Sequence, residues 1–324
     1  MKPLERYEYV APSMGTILKM VVYADQEPLA HQAIDAGLTE IERLIPILNN
    51  YDPSSEVSRM VATVGQPIRL STDLGQTLQH AHRWHELSHG AFDATVGPLT
   101  QVWSQSRRVG QLPSQESMNA ARSRVGWHLV EWLDSTDDRD PSEKSFSVVF
   151  AKEGMRIDVS GLATGYIIDC AFEKMRASGI ETMLIDIGGD IRVGEAPPGS
   201  TGWKVDVAGL GKEAPLLRQL RLRNCAITTS GDLNQFIEID GVRYSHLIDP
   251  RAGEPVRRRQ SVSAIAETAI DADAGATALC VLGMLESASR FEQFPLSEAI
   301  ILEQDLSASR PSTVRYRHLM RQIP

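Results

Sequence analysis

The sequence predicts one α+β domain over residues 1–324, with mixed or antiparallel sheets and flanking helices. Many short β-branched runs are separated by turn residues, and only a few stretches repeat apolar side chains at the spacing of a long helix. No shift in composition marks a linker between two domains. A chain of 324 residues is long enough to bury a large core, and its 42% hydrophobic content is typical of a folded protein.

The first half of the chain combines one clear strand with long helices. Residues 15–24 have the alternating, β-branched character of a strand. Residues 28–48 and 71–90 repeat apolar side chains at helical spacing, so each is expected to form an amphipathic helix. The polar stretch between these helices offers Ser54 or Ser55 as a helix cap.

The second half is richer in strands. A polar loop at 134–145 is expected to join two strands, and a glycine turn then leads into a helix over 165–178. The remaining strands are predicted, in chain order, at 181–187, 203–209, 220–229, 235–240, 241–249, 261–267 and 296–304. The final helix is expected to begin within the stretch DADAGATALCVLG (271–283). Strands joined by short turns, with few helices among them, favour the α+β class.

Charge and hydropathy exclude some classes of protein. A net charge of -9 and a pI near 5.4 argue against a nucleic-acid binder, which needs a basic face to meet phosphates. No window approaches the ~18 uninterrupted apolar residues that a membrane span needs. The opening stretch MKPLERYEYVAPSMGT lacks the apolar segment of a secretory signal. We therefore expect a cytoplasmic protein as the sequence is written, and a periplasmic or exported one if a leader was trimmed.

The final predicted helix carries two oxygen-bearing side chains one turn apart. Asp273 and Thr277 are four residues apart, so they share one helix face with Cβ atoms about 5–6 Å apart. A carboxylate and a hydroxyl suit Mg²⁺ or Ca²⁺ and suit Zn²⁺ poorly. Taken alone, these residues favour a plainer interpretation, in which Asp271 or Asp273 caps the helix and Thr277 bonds to a backbone carbonyl.

Two stretches of loop character carry further candidates. In SHLIDPRAGEPV (245–256), His246 could act as a general base near neutral pH, or the stretch could form only a hairpin end. In GAFDATVGPLTQVW (90–103), Phe92 could hold a ring and Asp93 could accept a hydrogen bond. The same stretch could equally connect two helices. Each signal is weak when it is considered alone.

The stretch HELSH (85–89) matches the H-E-x-x-H pattern of zinc peptidases. It places His85 and His89 one turn apart, with Glu86 as the candidate base. Gly90 breaks the helix directly after this pattern, and no extension with a third histidine follows. A five-residue pattern with three fixed positions arises easily by chance in a histidine-rich helix, so the sequence argues against a peptidase.

Eight motifs, in a fixed order along the chain, together resemble the FAD:protein FMN transferase family, usually called ApbE. The motifs are SMGT, YDPSSEVSRM, GAFDATVGPL, DVSGLATGYIID, DIGGDIRVGE, TTSGD, HLIDPRAGEP and DADAGATALCVLG. They run from Met14 to Gly283, which is most of the chain. The resemblance implies a single domain of the type called a T-fold, with a cleft for FAD and a divalent cation, usually Mg²⁺.

The resemblance also implies roles for particular residues. Those carried over to the FAD site are Met14, Tyr51, Ala91, Phe92, Asp93, Asp158, Thr164 and Leu247. His246 is the implied base, and the implied metal ligands are the carbonyl of Gly161 and the side chains of Asp273 and Thr277. The implied reaction transfers FMN from FAD to a threonine in the flavinylation motif of an acceptor protein, and AMP leaves.

One departure from the family pattern falls at residue 164. Thr164 stands in GLATGY where the family usually has lysine, so a short neutral hydroxyl replaces a full positive charge. Two alternatives to transfer therefore stay open: an FAD pyrophosphatase that releases FMN and AMP, and an FAD-binding relative with weak catalysis. Arg156 or Lys152 is a candidate substitute for the missing charge.

Overall fold

Strands and helices occupy most of the chain in the computed structural model, which describes residues 3–60, 64–136, 144–211, 216–233, 235–304 and 314–321. The α-helices are α1 (Glu27–Leu48), α2 (Glu56–Arg59), α3 (Thr72–Ser88), α4 (Gly97–Val109), α5 (Gln115–Arg122), α6 (Ala163–Ala177) and α7 (Ala269–Arg290). The strands are β1 (Glu5–Ser13), β2 (Thr16–Ala24), β3 (Ile68–Leu70), β4 (Val130–Thr136), β5 (Lys144–Phe150), β6 (Met183–Ile187), β7 (Asp190–Val193), β8 (Trp203–Ala208), β9 (Leu216–Leu222), β10 (Cys225–Gly231), β11 (Phe236–Ile239), β12 (Val242–Ser245), β13 (Ile248–Asp249), β14 (Glu254–Pro255), β15 (Arg259–Ala266), β16 (Glu298–Gln304) and β17 (Arg315–Met320).

The largest sheet has eight strands in the order β1-β2-β6-β7-β10-β15-β16-β17. Every neighbouring pair in it is antiparallel. Smaller antiparallel units accompany it, namely the sheet β3-β5-β4 and the pairs β8-β9, β11-β12 and β13-β14. Helices combined with antiparallel sheets are the α+β arrangement that the sequence predicts, and the fold-class prediction is confirmed.

The two faces of the large sheet are buried by different elements. Side chains alternate along a strand, so Met20 of β2 faces the helices whereas Val21 faces the opposite side. On the helical side, α6 lies between α1 and α7, and all three contribute to the main core. On the other side, the β8-β9 hairpin covers the sheet with an apolar patch that includes Trp203.

The start of α7 is fixed closely against α6. Asp169 of α6 accepts hydrogen bonds from the backbone amides of Ala269 and Ile270, at 2.8 and 2.9 Å. Gly165 makes the close approach possible, because a Cβ there would lie 2.4 Å from the carbonyl oxygen of Ala269. Thr268 caps α7 by accepting a hydrogen bond from the amide of Asp271. The interpretation of Asp271 or Asp273 as the cap of this helix is therefore wrong.

The helix α7 is kinked at Gly283, where φ is 76° and ψ is 169°. The kink leaves backbone carbonyls of the first half without helical partners. Arg258 and Gln260, both near the start of β15, donate to the carbonyl of Cys280 at 3.3 and 2.7 Å. On the far side of the kink, the amide of Met284 donates to a carboxylate. The first half of α7 is thus capped at both ends by side chains.

Several boundaries differ from those that the sequence predicts. The strand β1 was not expected, because its side chains are exposed or only half-buried and none of them is fully buried. The helix α4 replaces an expected loop or connector, since Pro98 lies at its first turn, where proline is tolerated. The expected strand at 220–229 is divided into β9 and β10 at Asn224, which has a positive φ of 49°. Among the helices of the described ranges, none is long and apolar enough to cross a membrane.

Candidate active site

A cleft of about 1180 Å³ opens beside α4, the segment 156–161, the end of β10 and the first half of α7. Most of the residues singled out in the sequence line it, namely Tyr51, Ala91, Phe92, Asp93, Asp158, Gly161, His246, Leu247, Asp273 and Thr277. They come from several segments between residues 51 and 277, and the fold brings them into one cavity. The structure does not place Met14 and Thr164 on the cleft wall.

Met14 and Thr164 lie next to cleft residues. Met14 forms the turn between β1 and β2 with a positive φ of 51°. Gly188, which lines the cleft, lies directly against Thr16 at the end of that turn. Thr164 is half-buried in the first turn of α6, and the amide of the next residue donates to the carboxylate of Asp273.

Asp273 and Thr277 form a group of hard oxygen atoms at the base of the cleft. Asp273 is only 6% exposed, and its carboxylate accepts a hydrogen bond from the amide of Gly165 at 3.2 Å. Thr277 Oγ1 lies 3.1 Å from Ser230 Oγ, and a Cβ on Gly161 would lie 3.2 Å from the same Thr277 atom. A carboxylate, a hydroxyl and a closely approaching backbone are donors that suit Mg²⁺ or Ca²⁺.

Burial raises the pKa of Asp273 to about 7. A carboxylate in this position needs either a proton or a cation, because an isolated buried charge is costly. Asp190 also lines the cleft, and its pKa is raised well above the ordinary value by burial and by the charge of Asp273. Sequence reasoning quoted the motif that contains Asp190 but did not assign the residue to the site.

His246 is held in one tautomer by the backbone. Its Nδ1 lies 3.1 Å from the carbonyl oxygen of Gln235, which can only accept, so Nδ1 carries the hydrogen and Nε2 is the basic nitrogen. Burial lowers the pKa of His246, and the nearby positive charge of Arg107 lowers it further. The imidazole is therefore neutral at pH 7. The adjacent Leu247 packs against the main core and lines the same cleft.

Asn50 holds the wall of the cleft in shape. Its side-chain amide donates to the carbonyl of Ile157 and accepts from the amide of Val159, both at 2.8 Å. These two bonds fix the backbone on both sides of Asp158, whose carboxylate accepts from the hydroxyl of Ser160 at 2.6 Å. Sequence reasoning missed Asn50, because its partners lie more than one hundred residues away and leave no local signal.

Three arginines line the cleft and have no carboxylate partner among the described residues. Arg107 and Arg108 come from the last turn of α4, and Arg156 comes from the segment that leads to Gly161. In the part of the chain that the structure describes, no ion pair or hydrogen bond engages their guanidinium groups. Arg156 is therefore placed to supply positive charge to the cleft, whereas Lys152 is exposed and does not line it.

The HELSH histidines do not form a zinc site. His85 points towards Asp93, whereas His89 is exposed and ends α3 in the left-handed conformation. Within the described ranges, no group of three or more histidine, cysteine, aspartate or glutamate side chains is arranged to hold a metal ion. The peptidase interpretation therefore finds no support in the fold.

Comparison with known proteins agrees with the motif order. The model of the ApbE family matches residues 14–301. This chain belongs to the ApbE family. A curated FAD:protein FMN transferase of Vibrio cholerae is 31% identical over 296 residues, which cover 87% of this chain and 83% of that relative. Another, from Treponema pallidum, is 29% identical over 307 residues, covering 90% of this chain and 83% of the relative.

Solved structures of the family have the same architecture. The flavin transferase ApbE from Vibrio cholerae aligns with a TM-score of 0.80 at 26% identity and covers 98% of each chain. The apo form of the flavinyl transferase ApbE from Pseudomonas stutzeri aligns with a TM-score of 0.82 at 22% identity, covering 99% of this chain and 96% of that one. The second similarity, at this lower identity, supports the fold alone. The prediction of an ApbE-type fold is confirmed.

Proposed function

We propose that this chain is an FAD:protein FMN transferase, which moves FMN from FAD to a threonine of an acceptor protein and releases AMP. The observation that carries the proposal is the convergence, in one cleft, of a neutral histidine, a group of hard oxygen donors and three arginines. The shared name of the curated relatives supports the same reaction.

The residues at the base of the cleft fit a divalent cation. Asp273, Thr277 and the backbone of Gly161 would hold Mg²⁺ or Ca²⁺, both of which prefer oxygen ligands. When bound, the ion supplies positive charge to the pyrophosphate of FAD as the phosphoanhydride bond breaks. The buried carboxylate of Asp273 favours this interpretation, since a cation offsets the cost of keeping it charged.

His246 is the base in the proposed reaction. Its Nε2 accepts the proton of the incoming threonine hydroxyl, because Nδ1–H is engaged with Gln235. The threonine oxygen forms a bond to the phosphorus of the FMN half, and the bond from that phosphorus to the oxygen shared with the AMP half breaks. AMP leaves with that oxygen as a phosphate anion. The product is a protein that carries FMN through a phosphoester bond.

Residues on the cleft wall are proposed to bind FAD. Phe92 offers an apolar ring, and the Tyr51 ring is 85% exposed at the edge of the cavity, where it can cover a flat ligand ring. Asp93 and Asp158 offer carboxylates to hydrogen-bond donors of the ligand. Arg107 and Arg156 offset the negative charge of the phosphates, which four cleft aspartates would otherwise repel.

A single assay separates transfer from the two alternatives. The protein is incubated with FAD, Mg²⁺ and an acceptor domain that carries a flavinylation threonine motif, and the acceptor with this threonine changed to alanine is the control. Flavin fluorescence that stays with the acceptor on a denaturing gel supports transfer. Release of free FMN and AMP without labelling would indicate a pyrophosphatase, and unchanged FAD would indicate binding alone. Either of these outcomes contradicts the proposal.

The variant Thr164→Lys tests the departure at residue 164. If the missing charge limits activity, the lysine should raise the rate of transfer or the affinity for FAD. An unchanged rate would instead indicate that the arginines of the cleft already supply enough charge. The variant Arg156→Gln removes one of these positive charges. It should lower the rate of transfer both in the wild type and in the Thr164→Lys variant.

A further inference from the structure

The histidine cluster on α3 lies behind the GAFD part of the cleft. His85 stacks on His82 with ring centroids 6.3 Å apart, and both rings contact Trp127. His85 also faces the carboxylate of Asp93, and Asp93 lines the cleft. The zinc-peptidase pattern does not explain this cluster, and the proposed transfer reaction makes no use of it.

The two oxygens of Asp93 have different surroundings. Oδ1 accepts from the amide and the hydroxyl of Thr95, both at 2.7 Å, so it is fully engaged. Oδ2 lies 3.2 Å from Nδ1 of His85. The Asp93 side chain is only 4% exposed, and a buried carboxylate is costly unless donors surround it. His85 is the donor available to the second oxygen.

His85 Nδ1 is itself buried, and within the described residues it makes no aligned hydrogen bond. His85 Nδ1 therefore lies close enough to Asp93 Oδ2 for a hydrogen bond, but the Nδ1–H bond is not directed at that oxygen. Hydrogen bonds of functional groups are often long or poorly aligned before a ligand binds. A small rotation of the carboxylate would align the pair, which is the movement expected when a donor group enters the cleft.

We propose that His85 is a positioning residue for Asp93: its Nδ1–H holds Oδ2 and so presents the Asp93 carboxylate to an N–H or O–H donor of the bound dinucleotide. The inference rests on the proposed function for the identity of that ligand, FAD. The proposal assigns His85, the first histidine of HELSH, to substrate binding and not to metal binding. The contact acts on the ground-state complex, so we expect it to affect affinity more than turnover.

Matched variants separate this role from simple packing. His85→Leu removes the donor, whereas His85→Asn places an amide N–H close to the position of Nδ1. His82→Leu is the control, because it removes a ring from the same stack but lies one turn further from Asp93. The measurements are the Kd of FAD from quenching of flavin fluorescence, kcat and KM for transfer, and the thermal midpoint of each variant.

We expect His85→Leu to raise the Kd and KM for FAD by about tenfold or more, the size expected for a hydrogen bond to a charged group. His85→Asn and His82→Leu should remain within about threefold of the wild type, and kcat should change little in all three. In an Asp93→Asn background, His85→Leu should add little further loss. Equal weakening by His85→Leu and His82→Leu would overturn the proposal, and so would unchanged affinity in His85→Leu.

A second readout does not depend on FAD. In a crystal structure of His85→Leu, the Asp93 carboxylate should leave the rotamer that places Oδ2 against residue 85, whereas in His85→Asn it should keep that rotamer. An unchanged carboxylate in His85→Leu refutes the positioning role, whether or not the protein binds FAD. If the wild type binds no FAD while the carboxylate moves as expected, the proposed function fails and the contact between His85 and Asp93 stands.

Discussion

Replacing Gly165 by alanine should push apart α6 and α7, and α7 carries two of the proposed metal ligands. A Cβ at this position would lie 2.4 Å from the carbonyl oxygen of Ala269 and 2.7 Å from Cα of Ile270. Both atoms belong to the backbone at the start of α7, so no side-chain rotation can relieve the overlap. The amide of Gly165 also donates to Asp273, and a shift of α7 would stretch that bond.

Three contributions determine the expected change in the free energy of unfolding. Alanine gains up to about 1 kcal/mol over glycine inside a helix. Overpacking of a closely packed core typically costs about 1–3 kcal/mol, and weakening a hydrogen bond to a carboxylate adds about 1 kcal/mol or more. We therefore expect Gly165→Ala to lower the free energy of unfolding by about 1–3 kcal/mol.

The matched control is Gly37→Ala in α1. A Cβ there would meet Sδ of Met175 at 2.9 Å and Cε of Met20 at 3.2 Å, and both atoms lie near the free ends of flexible side chains. These side chains can rotate, so the gain in helix propensity should offset most of the cost and leave stability within about 1 kcal/mol of the wild type. Urea unfolding followed by circular dichroism measures both variants. Equal stabilities for the two would refute the reasoning.

Three further predictions concern the cleft. Asn50→Ala removes both bonds to the segment 157–159, so it should weaken FAD binding about tenfold in a fluorescence titration and lower the thermal midpoint. Because the pKa of His246 lies below its ordinary value, transfer should be fully active at pH 7 and fall only as pH drops below about 6.5. Arg107→Gln should move this acid limb to higher pH, since the arginine lowers that pKa, and an unmoved limb would contradict the assignment. Asp273→Asn should abolish the thermal stabilisation by Mg²⁺ without destabilising the metal-free protein, because it removes a buried charge; retained Mg²⁺ stabilisation would exclude Asp273 as a ligand.

Periodicity predicted the buried elements of the fold well and the exposed ones poorly. The helices α1, α3 and α6 lie within two residues of their expected bounds, because each buries one continuous stripe against the core. The strand β1 escaped prediction because it lies at the edge of the sheet, where Val10 is exposed and Tyr7 and Tyr9 are only half-buried against the core. The expected loop at 134–145 lies partly outside the described residues, and β4 and β5 extend into its two ends.

The site could be predicted only where motif and chemistry coincide. Asp273 and Thr277 are one helical turn apart, so their common face follows from spacing alone. The backbone contact of Gly161 with Thr277, the clamp by Asn50 and the contact of His85 with Asp93 all depend on chain segments brought together by the fold. Residue spacing within one segment cannot predict such contacts. The resemblance to the family implied only the pairing of Gly161 with Thr277.

The kink at Gly283 separates the first half of α7, which carries the proposed ligands Asp273 and Thr277, from the second half. Arg258 and Gln260 connect the end of this half to β15, and Asp169 connects its beginning to α6. Its position is therefore tied to the sheet and to α6, and Ser287 beyond the bend adds a hydrogen bond to the carbonyl of Leu279. A substitution at Asp169, Arg258 or Gln260 should therefore disturb the geometry of the proposed ligands from a distance, although none of these three residues lines the cleft.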